Sequence, residues 1–330
     1  MTTNPAPLQA FEHEEPGEAP GGAPPGREGE PGRFARLDER ARKARKRLSN
    51  PWASGIAIVI ALLWTVPTFG LLTTSFRPVQ DIRDNGWWNF WNPREIAENG
   101  LPQVTLDNYT DVLFGGDVSL GQYLINSVVV TLPAVVIPIS IALLAAYAFA
   151  WIPFKGRNVL FVAVFALQVI PIQITMIPLL SQYVQWNIAG TFWPVWLSHS
   201  IFALPLAIFL LHNFMKDIPP SLVEAARVDG AGHVKIFFQV LMPLLIPAIA
   251  AFSIFQFLWV WNDLLVSLVF GSQAQVAPLT VRLASLAGAR GETWHLLSSG
   301  AFVAMVVPLI VFLSLQRYFV RGLLAGSVKG

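Results

Sequence analysis

Residues 52–72 read Trp-Ala-Ser-Gly-Ile-Ala-Ile-Val-Ile-Ala-Leu-Leu-Trp-Thr-Val-Pro-Thr-Phe-Gly-Leu-Leu, with no charge from end to end. A helix of about 20 such residues crosses the ~30 Å hydrocarbon core of a bilayer, so this stretch predicts a transmembrane span. Upstream, Arg33, Arg36, Arg40, Arg42, Lys43, Arg45, Lys46 and Arg47 form a basic run that suits the cytoplasmic flank of that span. Before the run, Pro, Gly and Glu dominate from Pro5 to Gly32, and residues 1–50 are expected to be a disordered tail. A cleaved signal peptide is not expected, because the apolar stretch begins only after 50 residues and lacks a small-x-small cleavage site.

Downstream, five further apolar segments are expected near Tyr123–Ala150, Val159–Leu180, Trp193–Met215, Leu244–Phe270 and Leu296–Leu315. Only helices and closed barrels satisfy their backbone in lipid, and these lengths suit helices rather than ten-residue barrel strands. The expected fold class is therefore an all-α membrane protein with six spans over residues 51–330. Prolines 133, 138, 171, 205, 247 and 308 fall inside the segments, where membrane bundles tolerate them.

Composition agrees. The chain is 54% hydrophobic and 13% charged, against about 25% charged in a soluble domain. The absence of cysteine excludes disulfides, thiolate metal sites and a cysteine nucleophile. Histidines 13, 199, 212, 233 and 295 show no metal-ligand spacing, and His199 and His212 read as buried hydrogen-bonding residues.

With the amino terminus inside, six spans return the carboxyl terminus to the same side. The inner segments then carry 17 Lys and Arg, nine of them in the tail, and the outer segments carry five (Arg77, Arg83, Arg94, Arg282, Arg290). That follows the positive-inside rule. The longest outer segment, from about Ser75 to Gly121, contains Trp87-Trp88-Asn89-Phe90-Trp91, which reads as an interfacial anchor or as a docking surface.

The inner loop at about 216–243 carries most of the information. It contains Ile218-Pro219-Pro220-Ser221-Leu222-Val223-Glu224-Ala225-Ala226-Arg227-Val228-Asp229-Gly230-Ala231-Gly232. Pro219 and Pro220 stop span four, Ser221 and Glu224 have capping-box spacing, and Gly230 can take the left-handed conformation that ends a helix. The pattern predicts a short helix, a tight turn and a second helix to Met242, with Pro243 opening span five. Its small apolar face suits docking into a groove on another protein, or alternatively rests on the bilayer as a connector. A DNA-binding reading fails, because the unit is tethered between two spans and its second helix carries a single lysine, Lys235.

Glu224-Ala225-Ala226, Asp229-Gly230-Ala231 and Leu241-x-Pro243 resemble the "EAA" signature of binding-protein-dependent ABC importer permeases. The likeness extends over roughly residues 51–330. Tyr147-Ala148-Phe149-Ala150 with Phe154-x-Gly156-Arg157 resembles the family's second span and inner turn. Trp261-Asn262-Asp263-Leu264-Leu265 and the end, Gln316 to Gly330, are similar to the carbohydrate, maltose-type branch, and nearest to alpha-glucoside permeases. The resemblance implies a six-span type I permease with a cytoplasmic coupling helix in a bacterial inner membrane, both termini cytoplasmic. It also implies two ATP-binding subunits, a second permease, an external sugar-binding protein and a sugar substrate. Ser221, Glu224, Ala225, Ala226, Asp229, Gly230 and Gly232 would couple to the ATPase, with Ala225 and Ala226 allowing close approach. Gly326, Lys329 and Gly330 would contact it from the tail, and Trp261, Asn262 and Asp263 would border the substrate pathway.

The chain itself is expected to be neither an enzyme nor a cofactor or nucleic-acid binder. It has no G-x-x-x-x-G-K-[ST] phosphate loop, so ATP hydrolysis would come from a partner. An ion-coupled secondary carrier is the rival reading, and it would need intramembrane ionisable relays or inverted repeats. Asp263 is the one carboxylate expected within a span.

Overall fold

A computed structural model describes residues 51–92, 96, 104–115, 119–287 and 293–327, with side chains as far as Gln316. The expected disordered tail 1–50, Lys329 and Gly330 lie outside those residues. The described residues are helical or irregular, without a strand. Among the described residues, five helices are long and apolar enough to cross a membrane: Pro51–Ser75, Gly121–Trp151, Trp193–Lys216, His233–Trp261 and Trp294–Gln316. A bent pair, Arg157–Val169 and Ile172–Gln185, passes the same test of length and composition when its halves are taken together, which brings the number of spans to as many as six. In chain order these are spans one to six, with the bent pair as span three. Contacts divide the chain into two compact units, 1–65 and 66–330, with the boundary inside span one.

Within the second unit, spans two and four form the centre. Ala142, Ala146 and Ala207 are fully buried, and small side chains of this kind let membrane helices approach closely. Around them Leu211, Met215, Leu241 and Leu245 join the two spans to span five in one buried cluster. A second cluster, including Val130, Met176, Tyr183, Val260 and Phe270, fills the bundle farther from the 216–243 loop. A third, with Val112, Leu120, Leu279, Leu286 and Leu296, closes the end opposite that loop. The aromatic run folds as a short 3₁₀ turn, Trp87–Trp91. Trp87 meets Phe69 edge-on and Trp91 stacks on it, with centroids 6.3 and 6.4 Å apart.

Two spans depart from the expected continuous helices. Span three bends by 99° between its halves. Pro171 is the cause: it disfavours the helical conformation of the residue before it, and Ile170 is extended at φ −71°, ψ 121°. Pro133 and Pro138 stay within one helix of 31 residues. Span five, expected to run to Phe270, ends at Trp261, and a separate short helix covers Leu265–Phe270. Asp263 sits in the break. Its carboxylate accepts hydrogen bonds from the Val266 and Ser267 amides at 3.4 and 3.0 Å and from the Ser267 hydroxyl at 3.2 Å. A short acid that captures backbone donors locally competes with helix continuation.

Candidate functional site

The 216–243 loop starts where span four stops, at Lys216, and its helix runs Pro220–Val228. The expected capping box does not form: Pro219 is the N-cap, Pro220 the first helical residue, and no side chain caps the end. Proline suits that first position because its φ is already helical and its missing N–H would be unpaired there anyway. The N-cap therefore lies two residues earlier than expected, at Pro219, and Ser221 lies inside the first turn.

The other end closes as the glycine predicts. Gly230 has φ 76°, the Gly230 amide donates to the Arg227 carbonyl at 3.0 Å, and the Ala231 amide donates to the Ala226 carbonyl at 2.9 Å. That pair of bonds is the Schellman arrangement. Gly232, at φ −75° and ψ 171°, begins the next helix at His233. That helix is continuous with span five and does not stop at Met242; it passes through a π turn, Ile236–Leu241. Pro243 has no N–H to offer the Gln239 carbonyl, four residues back inside this turn.

Side-chain placement splits the loop helix in two. Val223, 2% exposed, lies in the buried cluster with Ile218, Ile236 and Phe237, and Ala226 and Ala231 pack against it. Ser221, Glu224, Ala225, Asp229, Gly230 and Gly232 face outward. So do Leu222 at 44%, Val228 at 88%, Val234 at 73% and Phe238 at 58% exposure. Ala225 is on the outer face and Ala226 is turned to the bundle, which corrects the expectation that both alanines line one docking face. The loop helix thus has one face packed on the bundle and one apolar face turned outward.

A polar contact ties this loop to span two. The Tyr147 hydroxyl and His233 Nδ1 share a hydrogen bond of 2.7 Å, and the Tyr147 ring meets Phe237 edge-on at 5.4 Å. The sequence contains both residues 86 positions apart, and no spacing rule joins them.

At the opposite end, Trp261 is 4% exposed and its indole N–H donates to the Ala304 carbonyl of span six at 3.1 Å. Its ring is committed to helix packing rather than to a pathway. Asn262 is exposed, with its amide donating to the Leu258 carbonyl at 2.7 Å. Asp263 lies in the break between helices and not within a span. His199, fully buried, faces it with Nε2 3.6 Å from the carboxylate. The expected hydrogen bonds of His199 are absent: neither ring nitrogen has a partner within bonding distance. His212 is buried against Phe161, ring centroids 4.2 Å apart. Gly326 lies in the last helix, which extends to Ser327. Among the described residues no group of three acidic or histidine side chains could hold a metal ion.

Residues 137–325 match the family described as "binding-protein-dependent transport system inner membrane component". The chain belongs to that family, a set of multi-pass inner-membrane permeases. It is 53% identical over 274 residues to the osmoprotective compounds uptake permease protein GgtD of Synechocystis, covering 82% of this chain and 90% of that protein. It is 52% identical over 238 residues to the alpha-glucoside transport system permease protein AglG of Rhizobium meliloti, covering 69% and 61%. A chain of a bacterial ABC transporter that imports the polysaccharide alginate has the same fold, with a TM-score of 0.70 at 20% identity over 83% of this chain and 98% of that one.

Proposed function

We propose that this chain is the permease subunit of an ATP-driven importer for alpha-glucosides or related oligosaccharides. Both termini and the 216–243 loop face the cytoplasm, where the positive-inside rule puts them. A pair of ATP-binding subunits docks on the outward face of the Pro220–Val228 helix. A second permease completes the pathway, and an external sugar-binding protein delivers the cargo.

One observation carries the reading: Leu222, Ala225 and Val228 are held outward on a helix that Val223 and the Gly230 turn fix to the bundle. In this account Glu224 meets basic groups on the ATPase, the segment around Gly326, Lys329 and Gly330 adds further contacts, and Asn262 borders the pathway. The AglG name favours an alpha-glucoside cargo. The GgtD name favours a second reading, an osmoprotective solute.

The test is co-purification of the complex followed by sugar-stimulated ATPase assay in proteoliposomes. Stimulation by alpha-glucosides, with uptake that needs ATP and survives collapse of ion gradients, supports the proposal. Stimulation only by osmoprotective solutes selects the second reading, and uptake abolished by collapsing the gradients overturns both.

A further inference from the structure

The inner turn between spans two and three, Phe154-Lys155-Gly156-Arg157-Asn158, belongs neither to the docking helix nor to the pathway. Gly156 sets its direction from the left-handed region, at φ 80°. An aromatic chain fixes the turn to the bundle. Phe149 packs on Phe154 and on Phe161, with ring centroids 6.0 and 5.5 Å apart, and Phe161 lies 4.2 Å from His212 of span four. Arg157 precedes Phe161 by four residues and Lys216 follows His212 by four. Each cation therefore stands about one helical turn beyond that contact, toward the inner end, and both charges act on His212. The chain has no acid from Val118 to Lys216, and its only Lys or Arg in that stretch are Lys155, Arg157 and Lys216. Among the described residues none of the three has an ion pair or a side-chain hydrogen bond.

Beside these charges opens a cleft of about 410 Å³, lined by Pro153, Phe154, Gly156, Arg157, Asn158 and Val159. Val159 and Val162, three residues apart on one helix face, are 75% and 63% exposed and lead away from the cleft along span three. Unpaired cations at the foot of an exposed apolar face match the two halves of an anionic phospholipid, phosphate and acyl chain. A soluble anion would use the charges alone. We propose that this turn binds the headgroup of an anionic phospholipid. Arg157 and Lys155 hold the phosphate, Lys216 adds to the local positive potential, and the acyl chains lie along Val159 and Val162. The site requires neither the ATPase nor the cargo, so it stands apart from the importer reading.

The test is native mass spectrometry of the full chain, purified in detergent with added phosphatidylglycerol or phosphatidylcholine. Wild type should retain phosphatidylglycerol in preference. Retention should fall about fivefold in Arg157→Gln, the worth of one cation at an anionic surface, and stay near wild type in Arg157→Lys. Lys155 is fully outside the packed cluster, so Lys155→Gln reads the same site even where Arg157→Gln unfolds, and it too should lose retention. Lys235→Gln removes an exposed cation elsewhere at the same end and should change nothing. Equal retention of the two lipids by wild type, or unchanged retention in both Gln variants of the turn, overturns the site. Equal loss in Lys235→Gln overturns it in favour of diffuse attraction, and displacement of the lipid by inorganic phosphate in favour of a free-anion site. Arg157→Gln is also purified within the assembled transporter. Less bound ATPase there, with lipid retention unchanged, makes the turn a protein contact and sinks the lipid proposal.

Discussion

Gly230 and Asp263 each decide a chain direction by themselves, in different ways. At φ 76° Gly230 occupies the left-handed region, and a Cβ built there touches nothing. A substitution therefore meets backbone strain alone. Gly230→Ala should lower stability by about 1 kcal/mol, and Gly230→Asn by less, because asparagine visits this region more readily. Thermal unfolding of the detergent-purified protein checks the order; equal loss in both variants would mean that something other than φ is at stake. Asp263 works through its carboxylate, which binds two amides and one hydroxyl where span five breaks. Asp263→Ala leaves the start of the Leu265–Phe270 helix uncapped at a cost of about 1 kcal/mol. Asp263→Asn keeps an acceptor and should recover most of that loss. A cysteine at Leu268 should react faster with maleimide in the Ala variant than in the Asn variant.

Among the elements, the loop helix has one face packed on the bundle and one turned outward, the face proposed for the ATPase, and the two alanines of the family signature separate them. Ala225→Trp adds bulk on the exposed side, so membrane insertion and thermal stability should stay near wild type while ATPase retention falls at least tenfold. Ala226→Trp pushes the same bulk into the cluster around Val223 and should destabilise the fold itself by roughly 1–3 kcal/mol. Quantifying bound ATPase beside thermal unfolding separates the two, and similar behaviour of both variants would contradict the facing assigned here.

The six apolar stretches and the loop helix were legible in the sequence, because apolar length and the run Pro219-Pro220…Gly230 act locally, whereas the short helices Val79–Asp84, Asp107–Phe114, Leu265–Phe270 and Leu279–Ala287 carry no such signal. What escaped was the outcome of local competition. Pro171 breaks its helix where Pro133 and Pro138 do not, and which prolines the surroundings accommodate is a matter of packing. Asp263 reads as an intramembrane charge until its own backbone partners are seen. Ser221 loses the cap position to Pro219, two residues earlier. The contacts of Tyr147 with His233 and of His199 with Asp263 join distant parts of the chain, and a single sequence has no signal for such pairs.

For the whole molecule, the open quantity is which way the bundle faces, and the charge distribution predicts it. Seventeen basic residues on one side against five on the other favour a cytoplasmic 216–243 loop, although nine of the seventeen lie in the tail. The loops alone, eight against five, lean the same way. The chain has no cysteine, so single cysteines report accessibility without background. Asn158 and Val234 are exposed at the end of the bundle that carries the loop, and Thr191 and Ser272 are exposed at the other. On intact cells stripped of the outer barrier, a membrane-impermeant maleimide should label Thr191→Cys and Ser272→Cys at once. It should reach Asn158→Cys and Val234→Cys only after the inner membrane is opened. The reverse pattern would put the docking helix where no cytoplasmic ATPase could reach it, and the same four variants would then refute the importer reading by geometry alone.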